Sequence, residues 1–272
     1  MSFATLMVHV DVEPKSDARV HLAAKLADRF TSTLIGISAC ILPAYPAEGG
    51  YFVTGEFVEQ ERQDMMASLQ RTEAAFRRAA GANGVKLEWR SEIELPEDYV
   101  VSEARAADLL IVGRQSPRDI CRSLDTGAAV LKIGRPMLAV PPEINVLKSE
   151  RILIGWKDTR EARRALQDSL PLLHEARSVS IAAVCDNDME AVSRRHIDDV
   201  MQYLARHRIL ASAITTTAKR SVADELVRIA QAENADLIVT GAYGHTRLGE
   251  WILGGVTRDL LTSSPICCFL SH

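Results

Sequence analysis

The residues best suited to chemistry lie in GAYGHTRLGEWILGGVTRDLL (241–261). Gly241 and Gly244 follow the apolar run LIVT, nine residues separate Gly244 from Gly254, and Gly255, Val256 and Thr257 then open a segment that continues to Leu260 and Leu261. Glycines at the exit of a strand let backbone N–H groups approach an anion closely, and a helix starting there adds unpaired N–H groups and the positive end of its dipole. Thr257 supplies a hydroxyl, and His245 stands where an imidazole could hydrogen-bond a phosphate. The chemistry in view is binding of a phosphorylated ligand; turn formation is the plainer use of the same glycines. The spacing is neither the GxxxxGK plus Ser or Thr of a P-loop nor a GxGxxG placed after the first strand.

Such a loop needs a parallel sheet to hold it, and the chain contains the pattern for one twice. AADLLIVG (106–113) is repeated as NADLIVTG (234–241), each an apolar strand run ending in Gly after a segment of helical spacing, Val100, Ala104 and Ala107 in one and Leu226, Ile229 and Ala230 in the other. Upstream, TLMVHVDVEPKSDARVHLAAKLADRF (5–30) matches RILIGWKDTREARRALQDSLPLL (151–173): a strand, a polar loop and an amphipathic helix with Val20, Ala23, Ala27 and Phe30, or Ala162, Ala165, Leu166 and Leu170, on one face. Downstream, KIGRPMLAVPP (132–142) matches TSSPICCFLSH (262–272). Five strands alternate with four helices in each half, which predicts α/β architecture: two tandem five-stranded parallel-sheet, Rossmann-like domains at 1–145 and 146–272, with the two prolines of PPEINVLKSE (141–150) at the join. The halves differ at 43–66, a Pro-, Gly- and aromatic-rich insertion that reads as a surface loop leading into a longer helix, or as a lid or partner-binding segment.

The pattern Gly-x2-Gly-x9-Gly at the end of a five-stranded α/β unit, in a duplicated chain, resembles the universal stress proteins, here as a tandem pair covering Thr5 to Pro142 and Arg151 to His272. The resemblance implies an adenine-nucleotide site for ATP, or ADP or AMP, with Mg possible beside ATP. Carried onto this sequence, the phosphates fall to Gly241, Gly244, Gly254, Gly255, Val256 and Thr257, the sugar to the neighbourhood of Thr240, and the nucleoside side to the loop of Lys157 and Asp158; His245, Trp156 and Val184 join the candidate set beside them. Two positions depart from the family. The Ser or Thr after the third glycine is Gly255, and the Asp near the nucleoside is Lys157, with Asp158 beside it. In the first half VHVDVEP places Asp11 at that Asp, but VGRQSPRDICRSLDTGAAVL (112–131) keeps only Gly113, and Asp125 and Thr126 stand at the third glycine and its neighbour. A carboxylate there repels phosphate, so the first half is expected to bind no nucleotide and to serve as a structural or regulatory partner. The resemblance also implies that MLAVP (137–141) and ICCFL (266–270) lie side by side as an internal pseudo-dimer, with further pairing into a homodimer open.

The 272 residues carry 32 Lys+Arg against 36 Asp+Glu, a net charge of −4, and 47% are hydrophobic. This is a globular composition without the basic footprint of nucleic-acid binding. No apolar run reaches the length of a membrane span, and the start lacks a signal-peptide pattern, so a cytoplasmic protein is expected. Five cysteines without CxxC spacing, four of them in apolar runs, read as buried thiols. Of the histidines, His9 reads as a strand residue and His21, His196 and His207 as helix residues, with no metal-binding spacing. Trp156 either stacks on a base or forms an apolar wall. No GxSxG elbow or SGGxDS-type loop is present, which leaves no efficient enzyme in view and at most slow ATP hydrolysis. The functional reading is a stress-response protein in which nucleotide occupancy signals to a protein partner; the alternative is a nucleotide-independent scaffold or chaperone-like protein.

Overall fold

Strand segments of four to eight residues and amphipathic helical segments alternate through both halves of the chain. The computed structural model describes residues 2–12, 16–42, 55–81, 84–114, 123–185, 190–217, 221–243 and 255–272. The first unit comprises β1 (Thr5–His9), α1 (Asp17–Phe30), β2 (Thr33–Ala39), α2 (Gly55–Ala80), β3 (Leu87–Glu92), α3 (Pro96–Glu103), β4 (Leu109–Gly113), α4 (Thr126–Lys132) and β5 (Met137–Val140). The second comprises β6 (Arg151–Gly155), α5 (Arg160–Asp168), α6 (Leu170–Leu173), β7 (Ser178–Cys185), α7 (Glu190–Arg206), β8 (Ala211–Thr217), α8 (Val222–Ala232), β9 (Leu237–Gly241), α9 (Gly255–Ser263) and β10 (Cys267–Ser271).

The strands form one sheet in the order β3-β2-β1-β4-β5-β10-β9-β6-β7-β8. Every neighbouring pair is parallel except β5–β10, which runs antiparallel with Cys268 opposite Ala139 and Leu270 opposite Met137. The two final strands therefore do lie side by side, and each covers the edge the other would expose. Alternation along the strands sorts side chains onto two faces. Leu6, Val8, Leu109, Ile111, Ile152 and Ile154 pack with α1, α2, α5, α6 and α7 on one face; Met7, Leu110, Val112, Leu153 and Ile238 pack with α3, α4, α8 and α9 on the other.

The fourth strands are tied to the first by matching carboxylates. Asp108 Oδ2 accepts hydrogen bonds from the N–H groups of Ala4 (2.7 Å) and Thr5 (2.9 Å), and Asp236 accepts from Glu150 (3.0 Å) and Arg151 (3.3 Å). These aspartates thus satisfy the backbone donors at the start of β1 and β6.

Three sequence expectations need adjusting. The helix read through Leu170 is split at Ser169, because Pro171 lacks the N–H a continuous helix would need, and Ser169 ends α5 and opens α6. The helical segment before β4 tightens into a 3-10 turn at Ala104–Ala106, which leaves Ala107 extended. His207 lies in the turn after α7, its ring 4.7 Å from that of Tyr203. The longer helix expected after the insertion is α2, which packs Met65, Leu69, Thr72, Phe76 and Ala80 inward; residues 43–54 lie outside the described residues. Cys40, Cys267 and Cys268 are buried and Cys185 half-buried. Burial pushes the Cys268 thiol up to about 12, so it stays protonated and unreactive at neutral pH.

Candidate functional site

In an open α/β sheet the crevice for a ligand forms beyond the carboxyl ends of the strands where their order reverses. In the second unit that point is β6, which pairs with β9 on one side and β7 on the other. Gly155 is in register with Thr240, so the residues leaving β6 emerge beside Gly241. Trp156 donates its N–H to Ala182 O (2.8 Å), and its ring is buried in the core face shared with α5 and α7. Its Nε1 is buried and has no partner among the described residues. Lys157 and Asp158 are exposed; Asp158 pairs with Arg163 at 2.6 Å, and Thr159 Oγ1 caps α5 by accepting from Ala162 N–H at 3.3 Å. Val184 is half-buried at the end of β7.

Gly241 is required by packing. A Cβ on it would come within 2.5 Å of Ala162 N and 2.7 Å of Glu161 C, so the start of α5 can lie on the exit of β9 only because no side chain intervenes. Tyr243 follows with φ 55°, and its N–H donates to Thr257 Oγ1 at 3.0 Å, which ties the exit of β9 to the first turn of α9. The Thr257 hydroxyl, expected at a phosphate, thus also holds the loop's two ends together. Thr240 is buried, its hydroxyl 3.4 Å from Gly241 O. Gly255 is the first residue of α9 and is exposed; a Cβ there would meet nothing within 4 Å among the described residues, whose packing does not demand glycine. Val256 is half-buried beside it. Gly244, His245 and Gly254 lie outside the described residues.

A residue absent from the sequence-derived set is Glu161, buried where α5 lies on Gly241 and paired with Arg160. Burial pushes its carboxyl up, but hydrogen bonds from Arg160, its own backbone N–H and Thr159 outweigh that and hold it below the ordinary value. The legible signal was an acidic residue next to the buried Ala162–Ala165 stripe.

The first unit fills the same crevice with its own side chains. Arg19, only 8% exposed, reaches from α1 to donate to Asp11 Oδ2 (2.6 Å) and Ser16 Oγ (2.8 Å). Ser16 in turn donates to Asp11 (2.9 Å). A Cβ on Gly113, the last residue of β4, would collide with the Arg19 guanidinium, so that group lies directly on the strand exit where the second unit has the start of α5. Asp11 is thus the counter-ion of a buried cation. Burial pushes its carboxyl up, but the Arg19 charge, His9 and hydrogen bonds from Arg19 and Ser16 hold it far below the carboxylate range. Asp125 Oδ1 caps α4 by accepting from Ala128 N–H at 3.0 Å, which puts a carboxylate at the helix start. Arg114, next to Gly113, reaches across to Ser264 O of the second unit at 3.4 Å.

Residues 148–270 match the Universal stress protein family. A universal stress protein of Archaeoglobus fulgidus DSM 4304 shares the fold of the whole chain, with 13% identity over 98% of this chain and 95% of its own, at a TM-score of 0.74. A functionally unknown protein of Pseudomonas aeruginosa PAO1 overlaps with 12% identity over 99% of this chain and 92% of its own, at a TM-score of 0.60. A search of curated proteins gives no match. Residues 148–270 thus match the universal stress protein family, and the full chain shares the fold of the Archaeoglobus fulgidus protein.

Proposed function

We propose that the segment 148–270, which matches the universal stress protein family, binds an adenine nucleotide, ATP or its ADP or AMP relatives, and that occupancy of this one site is a regulatory signal read by a protein partner. The observation that supports this most is the contrast between the two crevices. At the start of α9 Gly255 is exposed and carries no side chain, while the matching start of α4 is capped by the Asp125 carboxylate and the Arg19–Asp11 pair lies at the exit of β4. Unpaired N–H groups in the first turn of α9 and the dipole of that helix favour an anion there. Gly244, His245 and Gly254 complete the phosphate side of the proposed site, with Mg accompanying the nucleotide when it is ATP. Trp156 supplies an apolar wall, and Lys157 and Asp158 flank the entrance. A cytoplasmic setting accords with the reading, as does a signalling role without efficient catalysis.

A nucleotide-independent scaffold is the rival. It is favoured by Gly241, whose missing side chain is already accounted for by the approach of α5. Purifying the protein without added ligand and examining the denatured extract separates the two. Adenine nucleotide in the extract, together with a rise in melting temperature on adding ATP, supports the sensor. An empty extract and an unchanged melting temperature at millimolar ATP support the scaffold.

A further inference from the structure

We propose that β8 is a dimerisation edge, the β8 strands of two copies of this chain pairing antiparallel about a two-fold axis and extending the sheet. The terminal strands of the sheet are β3 and β8, and each pairs with a single neighbour among the described strands. Half of their backbone N–H and C=O groups therefore point away from the sheet, and proteins guard such edges with charge, proline, bulges or brevity. The β3 edge is guarded. Its sequence LEWRSE carries Glu88, Arg90 and Glu92, held in ion pairs from Lys86 to Glu88 (2.8 Å) and from Arg90 to Glu103 (2.5 Å).

The β8 edge has none of these devices. It is ASAITTT, seven residues without a charge or a proline, and all seven positions are in unbroken register with β7. Ile214 and Thr215, Thr216 and Thr217 are β-branched and favour extended backbone. Leu210, immediately before the strand, is 88% exposed, more than any other large apolar side chain among the described residues. The second-copy assignment follows from two features. A two-fold interface must be self-complementary, and a charge-free strand is so through its backbone. The chain also already joins two of its own strands in this manner, at β5–β10, where MLAV and CCFLS are likewise free of charge. The inference is independent of nucleotide binding.

The test is the mass of the full chain in solution, by sedimentation or light scattering. The wild type is expected at twice the 29.9 kDa chain mass. Ser212 and Ala213 are exposed, and because the Ser212 hydroxyl meets that of Ser180 at 3.0 Å, S212K/A213K should melt where S212A does while halving the mass. A charge-reversed β3 edge, E88K/E92K, should remain dimeric. In the wild type, raising the protein concentration should slow amide exchange along β8 and leave β3 unchanged. A monomeric wild type, a dimer that survives S212K/A213K, a dimer broken by E88K/E92K, or β8 amides indifferent to concentration would each overturn the proposal.

Discussion

His9, Asp11 and Arg19 form a tightly packed charged group, and their environments shape how the protein responds to acid. Burial lowers the His9 pKa from 6.5 to about 4, with nearby Asp11 opposing that shift and Arg19 adding to it. The unfolded chain therefore takes up a proton at His9 below about pH 6.5, while the folded chain declines it until about pH 4. Stability should fall across that window as pH drops, by up to about 3 kcal/mol in total, and should not fall further on this account below it. Asp11 is depressed still lower, so its contribution is present above the ordinary carboxylate range and is lost only in stronger acid. Urea titrations at a series of pH values would show the His9 slope, and it should flatten in H9Q. Removing the Asp11 charge as D11N leaves the buried Arg19 without a counter-ion and should cost about 3 kcal/mol by chemical denaturation. The sequence placed Asp11 at a family position but gave no hint of this pair, since the partner sits eight residues on and reaches the crevice only once α1 has packed against β4.

At the scale of elements, the two described glycines at the β9–α9 turn separate by what surrounds them. Gly241 touches the backbone of α5, so G241A should destabilise the fold by about 1–3 kcal/mol through overpacking. Gly255 meets no described residue at the start of α9, so G255D should leave the unliganded melting temperature unchanged while its carboxylate, set against the phosphates, removes nucleotide binding. Spacing alone could not distinguish these glycines, because the difference lies in a helix 80 residues upstream in sequence. The strand and helix order was legible in the repeats, and so was the pairing of the last strands by resemblance. Less visible were the roles of Asp108 and Asp236, which hold the starts of β1 and β6 across about 85 to 104 residues. D236A should cost about 1–3 kcal/mol, since it orphans two backbone donors. Parallel D108A measurements would show whether both units depend equally on the tie.

Across the whole molecule, one sheet unites two units that share a fold and differ at their crevices. Beyond β5–β10, Arg29 holds the connection: it pairs with Glu175 at 2.5 Å and donates to Lys148 O (2.8 Å) and Ser149 Oγ (2.6 Å), so it links the end of α1 to both the connecting segment and the second unit. The proposed function rests on an asymmetry: one unit has the Asp125 carboxylate at the start of α4 and the Arg19–Asp11 pair at the exit of β4, where the other has Gly255 at the start of α9 and the start of α5 at the exit of β9. The measurement that tests it most directly is the stoichiometry of adenine-nucleotide binding to the full chain by calorimetry, wild type beside G255D. The account predicts one nucleotide per chain in the wild type and none in G255D. Two nucleotides per chain, none at all, or unchanged binding in G255D would contradict it.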